Sequence, residues 1–351
     1  SATKCNQNFI LWSSPRMMGF VRNFWTAPVE RHAIPSTNGR RGVFHACSRT
    51  RHLTPGDRVA VVGATSGVAY HLIRQLTSSG HFQVRAISRN STKAEQFLSS
   101  IDPTDGALEL RECDTRQADG MDKLLSDIDA VILCTGTSAF PSNRWQGGND
   151  PRAVDFEGVV NVLNALPSGG RVKKVALISS IGVQRRSRFP FSILNLFGVL
   201  TAKGDAEAKL IQVAEQKGFE YLIVRPGRLV GGPHTNVSLK SQPKEREQAV
   251  QMRFGDSLNG ECTRKMIAEA MIGVLTREGV GNVDFCMVNK EGPRENWASV
   301  LDRFFSPRTP LRLTFTSVDS QRFMNWLRGW CSGILSSGAL FPPLPVSVRV
   351  R

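Results

Sequence analysis

One stretch constrains this chain more than any other: Val59 to Gln75, Val-Ala-Val-Val-Gly-Ala-Thr-Ser-Gly-Val-Ala-Tyr-His-Leu-Ile-Arg-Gln. An apolar run stops at Gly63, small residues continue to Ala69, and Val68, Leu72, Ile73 and Leu76 then recur at helical spacing. That order predicts strand, tight turn and helix, with glycines where the backbone must pass close to something. Such a turn suits an anion: amides at a helix N-terminus and the positive end of its dipole face a pyrophosphate, and bulky side chains would block it. Gly63, Gly67 and Ala69 follow G-x-x-x-G-x-A, a variant of the dinucleotide fingerprint. Thr65, Ser66 and Val68 lie between them and join them as cofactor-binding candidates. Gly-rich turns after strands also occur with no ligand, so the rest of the chain decides.

From Arg58 the pattern alternates. Strands are expected at 59–63, 82–87, 107–112, 129–134, 174–179, 220–225 and 282–288. Helices are expected at 67–79, 91–100, 120–127, 153–166, 202–217, 263–277 and 294–305. Regular β-α alternation gives an α/β, Rossmann-like, doubly wound, mostly parallel sheet with helices on both faces. Right-handed crossovers bring the carboxyl ends of the strands to one edge, where ligands bind. One domain, 52–305, accounts for the whole pattern. Residues 1–51 hold eight Lys/Arg and one acid, and residues 306–351 six Arg and one acid. Of the formal charge of +15 the two ends account for +7 and +5, leaving +3 between them. The basic pI therefore belongs to the ends and gives no reason to expect nucleic acid at the core. Residues 1–51, rich in Ser, Thr, Arg and Asn, read as an organelle transit peptide plus linker, the alternative being a disordered basic arm. Residues 306–351 read as a Pro-containing appendage with a possible apolar stripe at Trp326, Leu327, Trp330, Ile334 and Leu335, suited to an interface or membrane surface. The basic flanks would suit an organelle protein complex or an anionic membrane. The seven cysteines show no C-x-x-C and no His at metal spacing, so no metal is expected. No apolar run is long enough to cross a membrane.

The strand ends carry the cofactor reading. An NAD site places a carboxylate after the second strand, about 20 residues past the glycines. Here Ser88 and Arg89 stand there, with Lys93 one turn on. A guanidinium pairs bidentately with a 2′-phosphate, which favours NADP(H) over NAD(H). The other reading is a solvated surface Arg. The third strand runs into Asp114 and Thr115, the fourth ends at Cys134, Thr135 and Gly136, the fifth at Ser179 and Ser180, and the sixth at Arg225, Pro226 and Gly227. Five such ends on one edge are harder to obtain by chance than the glycine turn alone.

Gly-Ala-Thr-Ser-Gly-Val-Ala, Ile-Ser-Arg, Cys-Asp-Thr, Ala-Val-Ile-Leu-Cys-Thr-Gly-Thr, Val-Asp-Phe-Glu-Gly-Val, Leu-Ile-Ser-Ser-Ile-Gly-Val and Ile-Val-Arg-Pro-Gly-Arg-Leu together resemble the atypical short-chain dehydrogenase/reductase family. More narrowly, they are similar to its NmrA-like, NAD(P)H-binding branch. The stretches 138–145 and 195–203 look like plant and algal plastid members of unassigned substrate. The resemblance covers about 57–305 and implies a plastid address for the N-terminal segment, with mitochondrion as the alternative. The branch commonly has Gly where this chain has Ser66 and Ala69; Ser66 would either crowd a pyrophosphate or donate to it.

The resemblance also implies chemistry. Standard members of the superfamily use a Tyr four residues before a Lys, with a Ser orienting the substrate carbonyl. The Lys position corresponds to Lys203, but four residues earlier stands Val199, and no Y-x-x-x-K exists in the chain. Lys203 therefore reads as cofactor-binding first and catalytic second; the alternative is a surface Lys paired with Glu207 at i, i+4. Ser180 and His234 complete the catalytic candidates, His234 because a His can replace Tyr as proton donor. Two functions follow. One is an NADP(H)-binding oxidoreductase of an unknown small molecule. The other is a non-catalytic NADP(H)-binding redox sensor or assembly protein of an organelle complex. A closed apolar cavity formed by 138–148 and 228–260 would favour the enzyme, and an open or filled one the module.

Overall fold

Six strands, β1 (Arg58–Val62), β2 (Gln83–Ser88), β3 (Leu108–Glu112), β4 (Ala130–Leu133), β5 (Lys174–Ile178) and β6 (Glu220–Pro226), run parallel in one sheet of a computed structural model. The structure describes residues 51–103, 106–233 and 248–306, all within the compact unit Phe44–Arg351. Three more strands, β7 (Arg228–Val230), β8 (Ala249–Phe254) and β9 (Glu261–Thr263), precede the last, β10 (Val283–Lys290). The main sheet has eight strands in the order β3-β2-β1-β4-β5-β6-β10-β8, parallel throughout except for the antiparallel β10–β8 pair. β7 and β9 form a separate parallel ribbon.

The helices are α1 (Gly67–Ser78), α2 (Ser91–Leu98), α3 (Met121–Leu125), α4 (Gly158–Ala165), α5 (Phe191–Leu194), α6 (Val199–Lys217), α7 (Arg264–Leu275) and α8 (Trp297–Phe305). They cover both faces. Val59 and Val61 of β1 pack with Leu72 of α1 and Met271 of α7, while Ala60 and Val62 pack with Val162 of α4 and Leu210 of α6. This period-two division is why the central strands read as unbroken apolar runs: both faces are buried. The chain reverses its direction of travel across the sheet between β1 and β4, so the crevice at their carboxyl ends is the topological switch point.

The structure departs from the sequence reading in several places, the short α5 among them. The helix expected at 153–166 opens as a π-helical turn, Arg152–Glu157, before α4. The wide turn carries Asp155 inward. Just beyond it, Gly158 has no room for a side chain, since a Cβ there would stand 2.8 Å from Thr115 Oγ1. α6 starts at Val199 rather than near 202, because the Asn195 side chain accepts from Thr201 N at 2.9 Å and holds its first turn. β7, β8 and β9 had no strand expectation. β7 and β9 are three residues each, and only Ala249 and Val250 of β8 are fully buried, so their hydrophobic patterning is weak.

Candidate functional site

The turn after β1 owes its shape to two glycines. Gly63 has φ +85°, and a Cβ there would lie 2.9 Å from Thr135 N, so the ends of β1 and β4 approach only because the side chain is missing. A Cβ on Gly67 would collide with the Pro233 carbonyl oxygen and the Arg264 side chain. The Gly231–Pro233 segment therefore lies against the start of α1. It is tied there by His71 Nε2, which donates to Gly232 O at 2.7 Å, and by the Arg264 guanidinium, which donates to Gly231 O. Ser66 is the N-cap: its Oγ accepts from Ala69 N at 3.1 Å. The first-turn amides of Gly67 and Val68 have no acceptor within the helix, which is what an anion needs. Thr65 sits half-buried in the same turn. The Gly231–Pro233 segment and Arg264 border this turn.

At the β2–β3 end, Ser88 is buried and its Oγ donates to Asn90 O at 3.2 Å. Arg89 is exposed and reaches across the crevice to donate to Asn149 Oδ1. Asp114 is gripped by Arg116, whose Nη2 donates to Oδ2 at 2.6 Å; that hydrogen bond holds the carboxyl below its ordinary range. Arg116 also donates to Gly147 O, so two guanidiniums span from the β2 and β3 ends to the excursion that follows β4. Arg116 was missed in the sequence because it stands two residues past the strand-end position. Thr115 faces α4 rather than this end, with its carbonyl accepting from Asn161 Nδ2 at 2.9 Å.

At the β4–β5 end the decisive pair is Lys203 and Asp155. Lys203 Nζ donates to Asp155 Oδ1 at 2.6 Å, and Thr137 N donates to Asp155 Oδ2 at 3.2 Å. The Asp155 side chain is 1% exposed, and burial pushes its carboxyl above the usual range against the pull of Lys203. Glu207 is not the partner of Lys203, which corrects the i, i+4 alternative. Instead it takes two hydrogen bonds from Arg225, at 2.9 and 2.8 Å, and one from Ser179 Oγ at 2.5 Å. Thr135, Asp155, Ser179 and Lys203 line one narrow crevice, and Gly136 lies over the ion pair, its absent Cβ position 3.4 Å from Lys203 Nζ. Asp155 lies within the quoted Val-Asp-Phe-Glu-Gly-Val motif, but only the π-helical turn shows that it faces Lys203.

The remaining candidates are placed differently. Arg225 is 2% exposed and committed to Glu207 and Asp284, below the crevice. Pro226 ends β6 opposite Met287, and Gly227 is small because Gly260 O presses on it. Cys134 is buried, and burial raises its thiol well above the ordinary range, so it packs rather than reacts. Ser180 Oγ donates to the neighbouring Ile181 O at 3.0 Å. His234 lies outside the described residues, as does much of the 228–260 wall of the expected cavity. Val199 is buried where the resemblance puts a Tyr. The chain's two tyrosines are elsewhere: Tyr70 OH bonds Ser100 Oγ at 2.8 Å, and Tyr221 pairs with Val175 near the start of β6. Among the described residues no His, Cys, Asp and Glu cluster is arranged for a metal, and no helix is long and apolar enough to cross a membrane.

A family model described as NAD(P)H-binding matches residues 63–278. No curated protein matches the sequence. Among solved structures, a putative NAD-dependent epimerase/dehydratase from Bacillus halodurans superposes with a TM-score of 0.54 at 21% identity, covering 71% of this chain and all of that one. The oxidoreductase ylbE from Lactococcus lactis superposes with a TM-score of 0.50 at 19% identity, covering 72% and 99%. At these identities the structural likeness speaks for the fold. The family model agrees with the NAD(P)H-binding part of the resemblance, and the solved structures with its fold.

Proposed function

The chain belongs to the NAD(P)H-binding family, and from that premise we propose that it is an NADP(H)-dependent oxidoreductase of a small organic substrate. One observation carries the reading: the buried Asp155–Lys203 ion pair in the crevice beside Ser179 and Thr135. Buried pairs also occur away from this end, as at Arg225–Glu207, so it is the place of Asp155–Lys203 beside Ser179 and Thr135 that supports the reading. The cofactor would lie with its pyrophosphate on the first turn of α1 and its 2′-phosphate toward Arg89 and Arg116. When bound, it supplies a hydride to the substrate. Lys203 would hold the ribose hydroxyls, with Asp155 fixing the ammonium and Glu207 fixing Ser179. With no phenol at the site, the proton comes from water, from His234 or from the substrate itself.

A second reading rests on Val199. With the family's proton donor replaced by a buried aliphatic residue, the domain would bind NADP(H) without turnover and report redox state to an organelle complex. Under either reading residues 1–51 are taken as a plastid transit segment, with mitochondrion as the alternative. The test is oxidation of NADPH by the full chain against a panel of aldehydes, ketones and quinones, repeated with Lys203→Met. Turnover that Lys203→Met abolishes supports the enzyme. Tight NADPH binding with no turnover across the panel supports the second reading. Failure to bind either nucleotide defeats both.

A further inference from the structure

The excursions that follow β4 and β5 expose large apolar side chains that no element of the fold uses. Phe189 is 80% exposed, Leu196 71% and Ile193 53%, with Phe140, Leu194 and Phe197 between 38% and 44%. Phe189, Ile193, Leu194, Leu196 and Phe197 fall within nine residues of the second excursion. The Phe197 ring meets Phe140 edge-on at 6.1 Å and Trp145 at 6.0 Å, which joins the two excursions beside the crevice. The base of the second excursion is anchored. Buried Asp256 accepts from Gly182 N and Gln184 N, both at 2.9 Å, and from Arg185 Nη2 at 2.8 Å. Arg185 in turn lies 4.5 Å from the centre of the buried Phe191 ring. The apolar tips are therefore held out by a built support. A contiguous apolar surface of this kind marks an interaction site.

Its charge says what covers it. From Gly158 to Gly204 the sequence has no Asp or Glu, and none occurs from Ala130 to Asn149. Arg144, Arg186 and Arg188 are exposed on the same two excursions and form no salt bridge among the described residues. An occupant must bring both apolar depth and negative charge. A second copy meeting this face across a two-fold axis would set arginine against arginine. The chain's own residues 306–351 carry six Arg and one Asp and supply no complement either. A bilayer with anionic headgroups supplies both, since aromatic and aliphatic tips enter the headgroup boundary while guanidiniums stay among phosphates.

We propose that the exposed apolar side chains Phe140, Phe189, Ile193, Leu196 and Phe197, together with Arg144, Arg186 and Arg188 on the same two excursions, dock this protein on anionic lipid membranes. The docking is independent of turnover and of cofactor choice. The test is co-flotation of the full chain with phosphatidylcholine vesicles and with vesicles containing phosphatidylglycerol. Parallel runs use Phe189→Ser/Leu196→Ser and Arg144→Ser/Arg188→Ser, all of them exposed positions, with thermal unfolding of each variant confirming an intact fold. Binding is expected on the anionic vesicles, reduced about a hundredfold by the apolar pair and about thirtyfold by the arginine pair. Three results would each overturn the proposal. These are no binding to anionic vesicles, equal binding to neutral and anionic vesicles, and anionic binding that the Phe189→Ser/Leu196→Ser pair leaves unchanged, which would move the contact to the basic ends. A dimer that the same pair dissolves, in a protein that ignores vesicles, would reassign the face to self-association.

Discussion

The two edges of the sheet use the same charged residue types in opposite ways. At the amino edge the charges close on one another. Lys173 Nζ donates to both Asp57 oxygens, at 2.8 and 2.7 Å, and Arg85 is shared between Glu109 and Asp127 at 2.6 Å each. Lys174 is 2% exposed, donates to Val280 O at 2.6 Å and lies 3.7 Å from Glu220. Burial lowers that lysine to about 8, which fits a packed ammonium far from any crevice. At the carboxyl edge the loops lengthen, two glycines admit close approaches, and the Asp155–Lys203 pair ties the π-helical turn to α6 beside Ser179 and Thr135. The difference shows that charge alone identifies neither edge. What separates the two edges is which elements the pairs join.

Substitutions at each edge can break this contrast, and their effects fall in order. Gly63→Val should have the largest effect. It pushes atoms into Thr135 and across the phosphate cradle, and should abolish binding of both dinucleotides, a loss beyond about 4 kcal/mol by calorimetry. Unchanged binding would remove the turn from the site. Lys174→Ala should cost about 3–5 kcal/mol of stability, because it leaves Glu220 without its buried partner. Chemical denaturation measures that loss, and nucleotide affinity should stay as it was; a matching loss of affinity would mean that the edges are coupled.

His71 gives a smaller, pH-dependent effect at the carboxyl edge. Burial lowers its pKa from 6.5 to about 4, so between those values the folded protein binds fewer protons than the unfolded chain. This contribution is complete above about pH 6.5 and is lost as pH falls toward 4, amounting to about 2 kcal/mol by pH 5. His71→Gln should flatten that part of the stability profile; a slope that survives must come from other groups. Arg89→Ala should give the smallest change, weakening NADPH about tenfold more than NADH. Equal losses would show that Arg89 does not read the 2′-phosphate.

The fold was legible because periodicity reports burial directly: strands covered on both faces read as Val59–Val62 and Ala130–Leu133 do, and the helices between them carry apolar stripes. β8 was not, because an edge strand is buried on part of one face and Ala249–Phe254 scarcely alternates. The tight turn after β1 was legible from its glycines, although Gly67 also owes its smallness to Pro233, a contact between distant segments. The partner of Lys203 was harder still. Local spacing offered Glu207, but three-dimensional packing gave Glu207 to Arg225 and brought in Asp155 through a π-helical turn that leaves no periodic signature.

The most direct test of the central claim, that the carboxyl edge is a dinucleotide site tuned by Arg89 and Arg116, is calorimetric titration of the full chain with NADPH and NADH at matched salt. Saturable binding of NADPH at one site per chain, with NADH weaker, is the expected result. Heat from neither nucleotide would contradict the account and leave the carboxyl edge as a packed remnant of a binding fold.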